Sequence, residues 1–122
     1  MSYLEKEREL QRMISLGLMV EAFEKFYHED VVMIEATGEV KEGKAFNRTF
    51  AQEWIAAIGQ VHSNGVESIT SNEEQGITMA ETWIDLTFKD GTRIKMEEVS
   101  VKHWDGDLII KERFYYNTDI DD

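Results

Sequence analysis

The chain has 122 residues, 25 acidic against 13 basic, a net formal charge of −12, 42% hydrophobic residues, and neither cysteine nor proline. This length and apolar content suit one domain with a real core and exclude a disordered chain. The charge excludes a basic footprint for nucleic acid or an anionic membrane surface, and the missing cysteines exclude disulfides and thiolate metal sites.

No apolar run approaches the roughly 20 residues that span a bilayer. The opening MSYLEKEREL is too charged for a signal peptide, so a soluble, cytoplasmic protein is expected. Residues 3–16 place Leu4, Leu10, Met13 and Ile14 near one helical face, and Gly17 breaks the run. Residues 18–28 set Met19, Phe23, Phe26 and Tyr27 at spacings of three and four, which predicts a second helix closed by His28. VVMIEA (31–36) reads as a short strand, and TGEVKEG as a turn or a tight hairpin. Residues 44–58 carry Phe46, Phe50, Trp54, Ile55 and Ile58 at helical spacing, closed by Gly59.

Beyond Gly59 the period becomes two. HSNGVESITSNEEQG is a weak strand through Val66 and Ile69. Two long alternating runs then flank Lys89–Asp90–Gly91–Thr92, a strong hairpin signal because glycine tolerates positive φ in the turn. A second turn at Trp104–Asp107 leads into the last strand, LIIKERFYYN. Three helices grouped before an antiparallel sheet define an α+β domain spanning residues 1–122.

Four segments in this order resemble the NTF2-like superfamily, and within it the SnoaL-like small polyketide cyclase and ketosteroid isomerase branch. They are FYHEDVVMIEATGE, EGKAFNRTFAQEWI, the hairpin around Asp90–Gly91, and VKHWDGDLIIKERFYYN. The resemblance implies a cone: three helices on a strongly bent antiparallel sheet, with an internal pocket for a small hydrophobic molecule and no cofactor. It also implies a homodimer through the outer sheet face. Matching to ketosteroid isomerases puts Glu35 at the base position, Met13 at that of the tyrosine donor and Ser100 at that of the protonated aspartate. A thioether donates no hydrogen bond and a lone hydroxyl is a weak substitute, so efficient ketosteroid isomerisation is not expected.

The same matching points Trp83, Asp85, Thr87, Glu98, Ser100, Lys102, Glu112 and Phe114 into the cone. It leaves Ile84, Leu86, Phe88, Val99, Val101 and Tyr115 outside as a dimer surface. Binary patterning alone chooses the opposite facing, and the two readings differ by one residue of register. The acid–base candidates are thus Glu35, Glu112, Asp85 and Glu98, and each has a bland reading as a solvated surface carboxylate. Substrate contacts would come from Phe50, Trp54, Trp83, Ser100, Lys102, Phe114 and Tyr116, although aromatic residues at these spacings also serve as plain core. His28, His62 and His103 stand at no metal-ligand spacing, and no phosphate loop or nucleophile elbow occurs. Two other readings stay open: a non-catalytic ligand-binding domain, and an interaction module working through its outer sheet face.

Overall fold

The computed structural model of the chain describes residues 1–118. Its elements are α1 (Tyr3–Ser15), α2 (Met19–Phe26), β1 (Tyr27–Ile34), β2 (Val40–Glu42), α3 (Lys44–Ala57), β3 (Ile58–Asn72), β4 (Ile77–Phe88), β5 (Arg93–Asp105) and β6 (Leu108–Tyr116). The strands form one sheet in the order β2-β1-β6-β5-β4-β3. All pairings are antiparallel except β1 with β6, which is parallel, so the sheet is mixed rather than purely antiparallel. The reason is topological: β1 follows the helical hairpin and is inserted beside the last strand. Bulges in β3 and at His103/Trp104 add local twist and curl the long strands around the helices.

Local chemistry starts each element. Ser2 and Glu5 form a capping box on α1. The backbone N–H groups of Tyr3 and Leu4 donate to the Glu73 carboxylate at 2.8 and 3.0 Å, which ties the helix N-terminus to the β3–β4 turn. Helix α2 passes directly into β1, two residues earlier than the sequence pattern suggests. Phe23 stacks on Tyr27 at 4.7 Å, and Phe26 meets Trp104 edge-on at 5.9 Å. Leu10, Val31 and Ile109 complete this core beneath α1 and α2. His28 is therefore a strand residue; its Nδ1 accepts the Asp30 N–H at 2.9 Å.

Two helical faces differ from expectation. Helix α1 buries Lys6, Glu7 and Gln11 beside Leu10 and leaves Ile14 exposed. Helix α3 buries Lys44, Asn47 and Ala51, while Phe46 and Phe50 stay 55% and 43% exposed. Asn47 explains the second case. Its Nδ2 donates to the Lys41 and Gly43 carbonyls, which fixes the polar face of α3 against β2.

The facing of β4 also corrects expectation. Thr78, Ala80 and Leu86 are buried, and Phe88 meets Trp54 of α3 at 5.5 Å, so even-numbered β4 residues face the helices. Trp83, Asp85 and Thr87 lie on the outer face, whereas Ile84, Leu86 and Phe88 lie inside. In β5 and β6, Glu98, Ser100, Lys102, Glu112 and Phe114 are on the inner face, with Val99, Val101 and Tyr115 outside. The matched motif carried the right register for two strands and slipped by one residue in β4, which flips every side chain there.

Candidate functional site

Three rows of side chains cross the inner wall. The deepest is Thr78–Lys102–Glu112, the next Ala80–Ser100–Phe114, and the last Thr82–Glu98–Tyr116. The deep row lies under α1 and α2 and is sealed. Helix α3 packs mainly on β1, β2 and β3, so the last row, with Ile84, Met96 and Trp54, is only half-buried. The trough is this half-buried stretch of the inner face of β4–β6, which α3 leaves unsealed.

The deep row holds a closed charge network. Glu7 of α1 is 0% exposed, Lys102 1% and Glu112 3%. The Lys102 ammonium stands 3.2 Å from Glu7 Oε1 and 3.4 Å from Glu112 Oε2, and it donates to Ser100 Oγ. Thr78 donates to Glu7 at 2.7 Å while accepting the Trp104 indole N–H at 2.9 Å, and Gln11 donates to the second Glu7 oxygen at 2.9 Å. Tyr27 donates to Glu112. Burial raises the Glu112 pKa, with Lys102 and the Tyr27 hydrogen bond opposing. Burial works against the charge on Lys102, but Glu112 and Glu7 outweigh it and hold its pKa above the ordinary lysine value. Burial, then the charge of Glu112, pushes the Tyr27 phenol well above its usual range.

A second network closes the β1 end of the trough. Glu35, just past β1, accepts from the buried Lys41 ammonium and, at 3.0 Å, from the Tyr116 hydroxyl. Lys41 also sits over the Phe50 ring, 3.4 Å from its centroid. Burial and the adjacent Glu35 charge push the Tyr116 phenol up to about 12.

Glu98 lies between these networks, opposite Thr82 on one side and Tyr116 on the other. Burial raises its pKa first and the Glu112 and Glu35 charges add to that, while Lys102 opposes; the result is about 7. No hydrogen bond enters that balance. Near neutral pH both protonation states of Glu98 are therefore populated, the condition under which one carboxyl can both take up and release a proton.

The residues singled out by sequence thus fall into three groups. Glu98, Ser100, Lys102, Glu112, Phe114 and Tyr116 share the inner wall, with Glu35 at its edge, while Trp54 packs on Phe88 towards the other end of β4. Phe50 reaches the site only through Lys41. Asp85 and Trp83 lie outside: Asp85 pairs with Arg93 at 3.0 Å, and the Trp83 indole donates to Glu67 at 2.9 Å under the Lys95 ammonium. Trp83, Val99 and Tyr115 line a hollow of about 160 Å³, and Thr82 and Glu98 also contribute to its lining. Glu7, Lys41 and Tyr27 were missed. For Glu7 a signal did exist, since it falls on the helical face set by Tyr3 and Leu10. Among the described residues no cluster of three or more His, Asp or Glu side chains is placed to hold a metal ion, and no helix is long and apolar enough to cross a membrane.

Residues 8–116 match the model of the SnoaL-like domain family. A structure described as a SnoaL-like polyketide cyclase from Mesorhizobium loti is 28% identical, with 95% of this chain and all of that chain aligned at a TM-score of 0.83. A protein described as an isomerase from Bacillus subtilis is 20% identical over 96% of this chain and 90% of its own, at 0.80. One described as a polyketide cyclase from Pseudomonas putida is 16% identical over 97% and 93%, also at 0.80. No curated protein matches the chain. The NTF2-like cone is the architecture these structures share with it.

Replacing Lys102 by methionine should strand two carboxylates in the sealed row. Urea unfolding near neutral pH should show a loss of about 3–5 kcal/mol. A carboxyl whose folded pKa is raised adds stability below its unfolded value of 4.5, and that stability is lost as pH rises through the folded value. The deficit of Lys102→Met should therefore be smaller near pH 5 than near pH 8, because Glu112 then keeps its proton. An equal deficit at both would contradict the network as drawn.

Proposed function

We propose that the chain, which belongs to the SnoaL-like domain family, is a cofactor-free acid–base catalyst for a small hydrophobic molecule held in the trough. Glu98 is the proton-transfer group. One observation carries this reading: Glu98 is the half-buried inner-wall carboxyl held at about 7. Glu112 and Glu35, the other inner-wall candidates, are already engaged, by Lys102 and Tyr27 and by Lys41 and Tyr116. Their role in this reading is to set the charge around Glu98. Phe114 and Ile84 supply apolar walls, and Tyr116 stands opposite Glu98 as a polar anchor. Isomerisation, cyclisation and hydrolysis all begin with such a proton transfer. Ketosteroid isomerisation is disfavoured, since Ser100 accepts from Lys102 and Met13 packs against the core, leaving neither position with an acidic donor.

A nitrobenzisoxazole is a suitable probe, because its ring opens when a carboxylate in an apolar site removes one proton. The rate should rise with pH to a plateau with a midpoint near 7, set by Glu98. Glu98→Gln should lower it by about a hundredfold or more, with the fold intact by circular dichroism. A loss confined to Glu35→Gln would transfer the role of base to Glu35.

A second reading, non-catalytic ligand binding in the same trough, is favoured by the internal pairing of Glu35 and Glu112. It predicts binding of the probe without ring opening.

The outer face supports a homodimer in this proposal. Met79, Val99, Val101 and Tyr115 form an apolar patch there, with Met79 42% and Tyr115 50% exposed, a costly arrangement on an isolated soluble domain. Sedimentation should give twice the mass of the chain for the native protein and a single chain for Tyr115→Asp. A native monomer at micromolar concentration would remove the dimer from the account.

A further inference from the structure

The outer face of the sheet carries charges of opposite sign on the two sides of its apolar patch. In the patch, Met79 stands opposite Val101 and Val99 opposite Tyr115. On one side lie Glu81, Glu97 and Glu67, the last accepting the Trp83 indole N–H. With Trp83 and Tyr115 they supply most of the lining of the hollow. Lys95 sits over Trp83 there, but three carboxylates outnumber it. On the other side lie Arg113, level with Val101, and Lys111, level with His103. The Arg113 guanidinium rests on the Tyr115 ring, 5.2 Å from its centroid. Among the described residues none of these three carboxylates is ion-paired, and neither is Arg113 or Lys111.

A chain with a net charge of −12 repels its own copies unless the surfaces that meet are opposite in sign. A two-fold axis can lie in the plane of this face, oblique to the strands, and pass between Val99 and Val101. Such an axis exchanges the acidic and basic sides. It lays the two apolar patches on each other and brings the basic side of each copy over the acidic hollow of the other, so the contact forms twice.

We propose that a second copy of the chain docks in this register, with Arg113 and Lys111 of each copy seated against Glu81, Glu97 and Glu67 of the other. This rests on the reading of the outer face as the dimer surface. An arginine suits the hollow, because a guanidinium can stack on aromatic walls while it bonds to carboxylates.

The test is sedimentation equilibrium of the whole chain and two charge-reversed variants. Residues 81, 97 and 113 are exposed, so each variant should keep the native circular dichroism spectrum. Arg113→Glu should raise the dimer Kd by about tenfold or more. Glu81→Lys combined with Glu97→Lys should do the same, although it makes the chain less negative and so lessens the general repulsion. An equimolar mixture of the two variants should dimerise about as tightly as the native chain, since both contacts of the mixed pair again join opposite signs.

A native dimer that both variants leave unchanged would overturn this register and keep the outer face as the dimer surface. So would a tighter dimer in the double lysine variant, which would trace association to net charge alone. A mixture no tighter than either variant by itself would also overturn the register. A native monomer would overturn both the register and the dimer beneath it.

Discussion

The buried ammonium of Lys102 is the constraint on which the rest of the interior depends. It lies 3.2 and 3.4 Å from two carboxylates delivered by different parts of the chain, Glu7 from α1 and Glu112 from β6. A buried ion pair of this kind is not a large source of stability, because desolvation consumes most of the Coulombic gain. Its effect is on geometry. Each of the three groups is costly to bury without the other two, so α1 must dock with Glu7 over Thr78 and Lys102. The sheet must then hold Lys102 opposite Glu112. Trp104, which bonds Thr78 and packs on Phe26 and Tyr3, joins this polar row to the apolar core.

The consequence for the site lies one row away. The sealed row presents Glu112 to Glu98, and the Glu35–Lys41–Tyr116 network closes the other side. Glu98 inherits a partly desolvated, negatively charged setting without being paired itself. Its proton affinity is therefore set by how the helices cover the wall: tightly under α1 and α2, loosely under α3. Catalytic and binding readings of the chain differ only in what the trough does with that proton.

Much of this was legible before the structure, and the exceptions have physical causes. Element order and the Asp90–Gly91 hairpin followed from periodicity and turn chemistry, and the inner facing of β5 and β6 from the motif match, against the binary pattern. The parallel β1–β6 pairing did not, because no local pattern records which distant strand lies alongside. The facing of β4 was misjudged because the motif match slipped by one residue there, which put Trp83 and Asp85 inside. In the fold they are satisfied on the outer face by Glu67, Lys95 and Arg93. The aromatic stripe of α3 suggested a buried face, but Asn47 and Lys44 are the buried residues. Amphipathic patterning assumes apolar residues go inside, and a helix anchored by its polar side on β2 breaks that assumption. Glu7, Lys41 and Lys102 were hard to weigh for the same reason: a buried charge is visible only once its partner is known.

The central claim is that Glu98 stands at the inner wall with a proton affinity shifted to neutrality by burial and by its carboxylate neighbours. The direct measurement is the titration of its carboxyl carbon by NMR in the native protein. The account predicts a midpoint near 7 that moves downward in Glu112→Gln, where the neighbouring negative charge that raises it most is gone. A midpoint at the ordinary glutamate value of 4.5 would contradict it.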